Sequence, residues 1–564
     1  MNPSRPRKRR LPVALACSAA TILVLLSACE QDVLEQQVTA VVKMCAIDPV
    51  QKVCNSGNYQ AIGKSQVIRI QAVDKSGKAL AKAKVTLKVS GANATTQSLT
   101  TGSDGAATYT YTGAKAGDDK ISAAVDVATS AMSPGPVVVR WLKPTSYIHP
   151  IIFVHGINED AADFTVQMHK GFTDPDQASD ASEQTFTALF EALTLKYDPK
   201  YLEALCYVDD HAYDHNSAPS GCRFPLDTAT YSTACVPGSS NRPCQSQGSV
   251  DENALQLART VDALSAEAAG AGSGTAKVTL IAYSMGGAVV RSFLAGCRAP
   301  QAPYTTQRCQ STVGKIDHVF FIDGDQQGSW LLTINKGYNA AELSGDSSIP
   351  SPITPFASAL PIIQKTLYDR VKSAVGLDAT SKGVQDQTPQ SPSILAHDQE
   401  PIPPGIDVYN FFGNVQIRMG VTVYGLPIAP GVPTLNLGDF VMLAQNNSAT
   451  LSPLWGGGGL CDGCASALAG YRENSPQFHN WALIDTHSVD ASILADFLRG
   501  TFDPKSAAGK FVNSPVQHLN ITQPPIQSPG TLWPVRDITG RTDKTDMSTE
   551  IFYILTKADG VALP

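Results

Sequence analysis

The stretch "KVTLIAYSMGGAVVRSFLAG", residues 277–296, changes period in mid-run, and that change restricts the fold more than any other feature of the chain. Val278, Leu280 and Ile281 read as a buried strand. From Gly286 onward, small and apolar residues suit a helix lying close against its neighbours. A strand that passes straight into a helix belongs to a parallel, helix-covered sheet. Ser284 occupies the junction, with Ala282 two residues before it and Gly286 two residues after. Strand and helix nearly collide at so sharp a turn, so small flanking residues are required. The serine oxygen is pushed out above the C-terminal edge of the sheet, where open α/β folds bind ligands.

The surrounding sequence repeats this alternation. "PIIFVHG", "YLEALCYVDD", "KIDHVFFIDG" and "GIDVYNFFGN" read as apolar strands, separated by the helical stretches "SEQTFTALFEALTLKY" and "NALQLARTVDALSAEA". Residues 144–500 are therefore expected to form an α/β domain. Within it, the proline-rich residues 331–404 are too long for a plain connection and predict an inserted cap or lid. Residues 61–143 alternate with period two instead. In "KVTLKV", Val85, Leu87 and Val89 face one way and the lysines and threonine the other, which predicts an antiparallel β-sandwich. Residues 29–60 read as a tether, and residues 501–564 as a C-terminal extension with no assigned role. At 564 residues the chain is too long for one ordinary core, in keeping with a multi-domain fold.

Residues 1–28 form a basic start, Arg5 to Arg10, followed by the apolar "LPVALACSAATILVLLSA", the layout of a secretory signal peptide. Leu26-Ser27-Ala28-Cys29 resembles a bacterial lipobox, which implies cleavage before Cys29 and lipid attachment to it. The resemblance predicts an exported protein, anchored in the cell envelope at the outer membrane. Loss of residues 1–28, with five basic and no acidic residues, takes the formal net charge from −7 to −12. Nucleic acid is thereby excluded as a partner on electrostatic grounds. Beyond Cys17 and Cys29, ten cysteines fall as sequence neighbours: Cys45/Cys54, Cys206/Cys222, Cys235/Cys244, Cys297/Cys309 and Cys461/Cys464. An even count in an exported chain predicts disulfides, whose connectivity the sequence leaves open. The stretch from "VDKSGKALAKAKVTLKVSG" to "ATYTYTG" resembles the bacterial immunoglobulin-like domains of invasin-type surface proteins, which implies a spacer or adhesion module.

A serine hydroxyl needs a base to become a nucleophile, and carbonyl chemistry needs donors for the oxyanion. The N–H of Met285, at the helix start, supplies one donor. "IIFVHGIN" supplies a second in the N–H of Ile157, with His155 a structural neighbour. His155-Gly156 ahead of Ser284-Met285-Gly286-Gly287 is similar to the bacterial lipases of the α/β-hydrolase fold. In that fold the order is nucleophile, acid, histidine. His487 in "WALIDTHSVD", read as a loop residue after a strand, is the expected base, with His479, read as preceding that strand, its rival. Asp439 in "NLGDFVM" resembles the family's acid segment; Asp323 and Asp325 in "FFIDGDQQGSW" are the alternatives. The resemblance implies an ester hydrolase acting on acyl esters or lipids through an acyl-enzyme, with no cofactor required. Lipases of this type sometimes hold a structural calcium ion, for which no ligands are assignable. Thioesterase, acyltransferase and polyester depolymerase chemistry use the same residues. A catalytically silent surface adhesin is the reading of another class. Oligomeric state is left open.

Overall fold

The structure, a computed structural model, describes residues 40–47, 54–55, 57–74, 76–125, 131–132, 137–157, 187–207, 248–273, 277–297, 304–326, 328–329, 382–388, 391–398, 400, 402–419, 422–423, 426–427, 434–436, 478–489 and 547–561. The chain divides into two units, residues 1–141 and 142–564. The signal segment, Cys29 and Asp439 lie outside the described residues.

The first unit is built of strands: β1 (Ala40–Ile47), β2 (Cys54–Asn55), β3 (Gly57–Ala61), β4 (Ser65–Val73), β5 (Lys84–Gly91), β6 (Thr95–Thr100), β7 (Ala106–Thr112), β8 (Gly117–Val125), β9 (Ala131–Met132) and β10 (Val137–Leu142). One sheet runs β2-β1-β4-β7, with β9 on β1; the other runs β3-β10-β8-β5-β6. Alternate residues of both sheets meet in one core, Val42, Ile68 and Ile70 from the first and Val85, Leu87, Ile121 and Trp141 from the second. The alternation that predicts a half-buried strand is realised in β5, where Val85, Leu87 and Val89 are buried and the residues between them exposed. The buried Asp119 carboxylate accepts from Trp141 Nε1 at 2.7 Å, from Asn93 N at 2.8 Å and Nδ2 at 3.1 Å, and from Tyr111 Oη at 3.3 Å. A charge removed from water is tolerable only with such partners. The expected tether is corrected in part. Ala40–Ile47, Cys54–Asn55 and Gly57–Ala61 are strands of this unit, and β1 pairs antiparallel with β4 from Val41↔Val73 to Ile47↔Val67. Its apolar "AVVKMCAI" had no partner visible in the local sequence.

The second unit contains β11 (Ile151–Val154), α1 (Thr187–Lys196), β12 (Leu202–Ala204), α2 (Val250–Gly270), β13 (Val278–Tyr283), α3 (Met285–Leu294), α4 (Thr306–Val313) and β14 (Ile316–Ile322). These are followed by α5 (Lys382–Asp386), α6 (Pro392–Asp398), β15 (Asp407–Met419), β16 (Thr422–Val423), β17 (Leu426–Pro427), β18 (Thr434–Asn436), β19 (Phe478–Val489) and α7 (Met547–Ala558). The main sheet is ordered β12-β11-β13-β14-β15, with β19 parallel and β18 antiparallel on β15, so it is mixed; β16 and β17 form a separate pair. Of the six parallel strands, β11, β12 and β13 are buried along their whole length, the state in which strands read as continuous apolar runs. Ile152, Val154, Leu280, Ala282, Val319 and Phe321 join α2 and α3 in one core. Phe153 turns the other way, its ring 4.3 Å from that of Phe190 on α1.

Residues 331–381 of the expected cap or lid lie outside the described residues; the part that is described, from residue 382 to 404, packs on the core of this unit. Ile394 and Ile402 are core residues, Asp386 accepts from Ser249 Oγ and Val250 N at the start of α2, and Ser393 Oγ reaches Asp251 at 3.1 Å. The C-terminal extension ends in α7, which packs against α1 and buries Ile551, Phe552 and Leu555. Cys297, just past α3, and Cys309 in α4 form a disulfide; Cys45 in the first unit and Cys206 in the second are each in a disulfide of their own. Among the described residues no helix is long and apolar enough to cross a membrane.

Candidate active site

The strand order reverses direction once. From β11 the chain steps outward to β12, then returns to place β13 on the other side of β11 and continues to β14 and β15. In open α/β sheets the crevice beyond the strand ends at such a reversal is where ligands bind. The two strands that flank it are β11, which leads into His155-Gly156-Ile157, and β13, which leads into Ser284.

Ser284 has φ +53° and ψ −124°, a conformation an L-residue rarely adopts. Tyr283 before it is the last residue of β13 and Met285 after it is the first of α3, so the whole change of direction falls on one residue. Its carbonyl accepts twice, from Gly287 N–H at 2.9 Å and from Asp325 N–H at 2.8 Å, and its N–H donates to Ile322 O at 3.3 Å. The residue is buried, 8% exposed, much like Tyr283 before it at 6%, while Met285 after it is fully buried.

The first turn of α3 is wedged between two strand ends. A Cβ at Gly286 would lie 2.1 Å from Val154 O and 3.0 Å from His155 O. One at Gly287 would lie 2.7 Å from Asp325 N and 2.7 Å from Gly324 Cα. These obstacles are backbone atoms and cannot swing aside, so both positions require glycine. The first contact sets the end of β11, at Val154 and His155, against the first turn of α3. The N–H of Met285 belongs to the helix's first turn, whose donors have no intrahelical partner. The need for a small residue at Gly286 is legible in the sequence, whereas that at Gly287 is not, because its obstacle is the backbone of Gly324 and Asp325 beyond the end of β14.

His155 is buried, its ring 4.0 Å from that of Tyr207. Tyr207 Oη donates to His155 O at 2.6 Å, and His155 Nδ1 lies 3.0 Å from Gly156 O. These contacts fix the segment that leads into Ile157. Asp323 and Asp325, beyond the end of β14, are fully buried. Asp323 also takes a positive φ, +40°, and its N–H donates to Phe411 O at 2.7 Å. Asp325 is thus brought to the Ser284 turn through its backbone.

His487 is a strand residue, not a loop residue. It lies in β19 and pairs with Ile417 of β15. The pairings Tyr283↔Ile322, Ile322↔Phe411 and Phe411↔Trp481 put Ala482 level with Ser284. His487 stands five residues farther, about 17 Å along the strand. The backbone ladder therefore carries it past the level of Ser284, and its side chain lies outside the described residues. His479 is the second residue of β19 rather than a residue before it. Its ring stacks on Tyr409 at 4.9 Å, and Tyr409 stacks on Phe320. Burial pushes its pKa down, partly offset by the Asp407 charge. That is a packing role on the sheet. Among the described residues no three His, Cys, Asp or Glu converge as a metal set.

No protein-family model matches the chain, and no curated protein matches it. Among solved structures it is similar to the lipase BlEst2 of Bacillus licheniformis in its mature form, at 13% identity over 54% of this chain and 81% of that one, with a TM-score of 0.22. It is also similar to a C-terminal fragment of intimin in complex with the intimin-binding domain of its translocated receptor. That likeness has 18% identity over 21% of this chain, with a TM-score of 0.14, and spans only 37% of the intimin chain. A CARDB domain from Pyrococcus furiosus is similar at 13% identity over 19% of this chain and 94% of that one, with a TM-score of 0.13. At these TM-scores none of the likenesses defines a common fold.

Proposed function

We propose that the second unit is a serine ester hydrolase of the α/β-hydrolase type. The observation that carries this is Ser284 itself, held at φ +53° on a one-residue strand-to-helix turn at the reversal of the strand order. A backbone strained at a serine on so sharp a strand-to-helix turn points to function.

In this reading Ser284 Oγ attacks the ester carbonyl while His487 takes its proton. The carbonyl oxygen becomes an oxyanion held by the N–H groups of Ile157 and Met285. The tetrahedral intermediate collapses, the carbonyl re-forms, and His487 returns the proton to the departing alkoxide. Water then adds to the acyl-enzyme with His487 as base, releasing the acid and regenerating the serine. Asp439 orients the imidazole, with Asp323 or Asp325 the alternative. The His487 role requires the paired ends of β15 and β19 to curve together over the site, since their ladder continues to Met419↔Val489. No cofactor enters the scheme.

Export and anchoring through Cys29, and an immunoglobulin-like spacer in the first unit, complete the proposal. The Cys297–Cys309 disulfide supports an oxidising compartment. The test is hydrolysis of a short-chain p-nitrophenyl ester by wild type, Ser284→Ala and His487→Ala. We expect each variant to lose at least about a thousandfold in kcat. Equal rates for wild type and Ser284→Ala would defeat the enzyme reading, and no turnover by either would favour a binding protein.

A further inference from the structure

The nucleophile turn is also held from a region far along the chain. The Asp325 N–H donates to Ser284 O at 2.8 Å. The next residue, Gln326, is buried, and its Nε2 donates to Oδ1 of the buried Asn410 on β15 at 2.8 Å. The carbonyl of Gln326 lies 3.2 Å from Nε2 of His397 on α6, and His397 is fully buried. A carbonyl offers only lone pairs, so His397 Nε2 carries the proton in this contact. The backbone around His397 is held in turn by Arg291, whose guanidinium donates to His397 O at 3.0 Å and to Glu400 O at 3.1 Å. Arg291 belongs to α3, the helix that begins immediately after Ser284.

These contacts close a ring. From Ser284 the chain runs through α3 to Arg291, across to His397, on to the carbonyl of Gln326, and through Asp325 N–H back to the carbonyl of Ser284. A non-glycine residue persists at such a φ only where its surroundings over-determine it. The ring meets that condition, and every polar member beyond the serine is buried, so water does not compete for its hydrogen bonds.

We propose that His397 is a positioning residue for Ser284. Through the Gln326 carbonyl it fixes the Asp323–Gln326 turn, and through that turn the aim of the serine oxygen. The proposal rests on the ester-hydrolase reading and deepens it, because His397 touches no reacting atom.

The test uses the full chain with His397→Leu and His397→Gln, two side chains of which only glutamine can donate from Nε2. Each variant is measured for kcat and KM on a short-chain p-nitrophenyl ester, for the rate of labelling by a fluorophosphonate probe, and for its thermal midpoint. We expect His397→Leu to lose about ten- to a hundredfold in kcat and in labelling rate, with KM within about twofold, because a misplaced nucleophile slows chemistry more than binding. His397→Gln should recover most of that loss. The proposal is overturned if folded His397→Leu turns over at the wild-type kcat, or if both variants are equally impaired, which would mark a packing role alone. Should His397→Leu not fold, His397→Asn, too short to reach the Gln326 carbonyl, takes its place under the same expectations. Failure of the underlying reading looks different. In that case the probe does not label wild type at Ser284, Ser284→Ala hydrolyses the ester as well as wild type does, and both proposals fall together.

Discussion

In the proposed function, Ser284 is where local cost and chemistry coincide. A side chain at φ +53° and ψ −124° costs on the order of 1–3 kcal/mol. Glycine adopts this conformation without the steric penalty. Ser284→Gly should therefore be more stable than Ser284→Ala by about 1 kcal/mol, and both should be inactive. Urea midpoints of the two variants, compared at equal m-values, check this. An alanine variant as stable as the glycine one would mean that the turn carries no strain. Much of this site was legible in residue types alone, because a serine between Ala282 and Gly286 at a change of period has few structural explanations. Gly287, Asp325 and His397 were not legible. Their roles depend on which loop lies against the first turn of α3, and period and spacing carry no information about that.

At the scale of elements, the last helix shows how a segment without a motif acquires a place. The apolar residues of α7 give it a face to bury against α1, and its end is fixed by charge. Asp559, just past the helix, lies with Oδ1 3.0 Å from Nδ1 of the buried His149, and accepts from Tyr197 Oη through Oδ2 at 2.8 Å. His149 Nε2 meets Thr279 Oγ1 at 2.9 Å, at the start of β13, and lies 3.8 Å from Asp317. Burial acts against a charged His149, but the hydrogen bond and charge of Asp559, with the charge of Asp317, outweigh it and raise its pKa. A raised histidine pKa favours the protonated form in the folded state. Its stabilisation is complete below the ordinary value of about 6.5 and disappears as pH rises through the folded value. Wild type should thus lose stability relative to Asp559→Asn as pH rises above about 6.5, because the variant keeps only the weaker attraction of Asp317. Urea midpoints of both proteins across that range measure it. Parallel pH curves would show that the pair contributes nothing. The same long-range logic explains why the cap expected at 331–404 is in part core. Proline content and length mark an interruption, while the burial of Ile394 and the bonds of Asp386 and Ser393 come from α2 and its surroundings, more than a hundred residues away.

For the whole molecule, the decisive fact is that the two units have separate cores. The first gathers Val42, Ile68, Leu87, Ile121 and Trp141; the second gathers the strands around Ser284 with α2 and α3. Their contrast was plain in the sequence because period-two alternation and continuous apolar runs are different burial patterns. Where the first unit starts was not plain, since β1 is defined by its antiparallel partner β4. Separate cores predict separable damage. Leu87 is fully buried at the centre of the first core, so Leu87→Ala should cost that unit about 2–5 kcal/mol through lost transfer energy and the cavity left behind. None of the residues that hold Ser284 belongs to that core, so kcat and KM on a short ester should stay at wild-type values below the lowered transition. The two readouts belong on one sample, a thermal melt followed by Trp141-sensitive fluorescence and an ester assay at temperatures on either side of the first transition. A fall in kcat that begins with that transition would mean that the geometry at Ser284 depends on the sandwich. Unchanged turnover through it would establish that the second unit holds its nucleophile unaided.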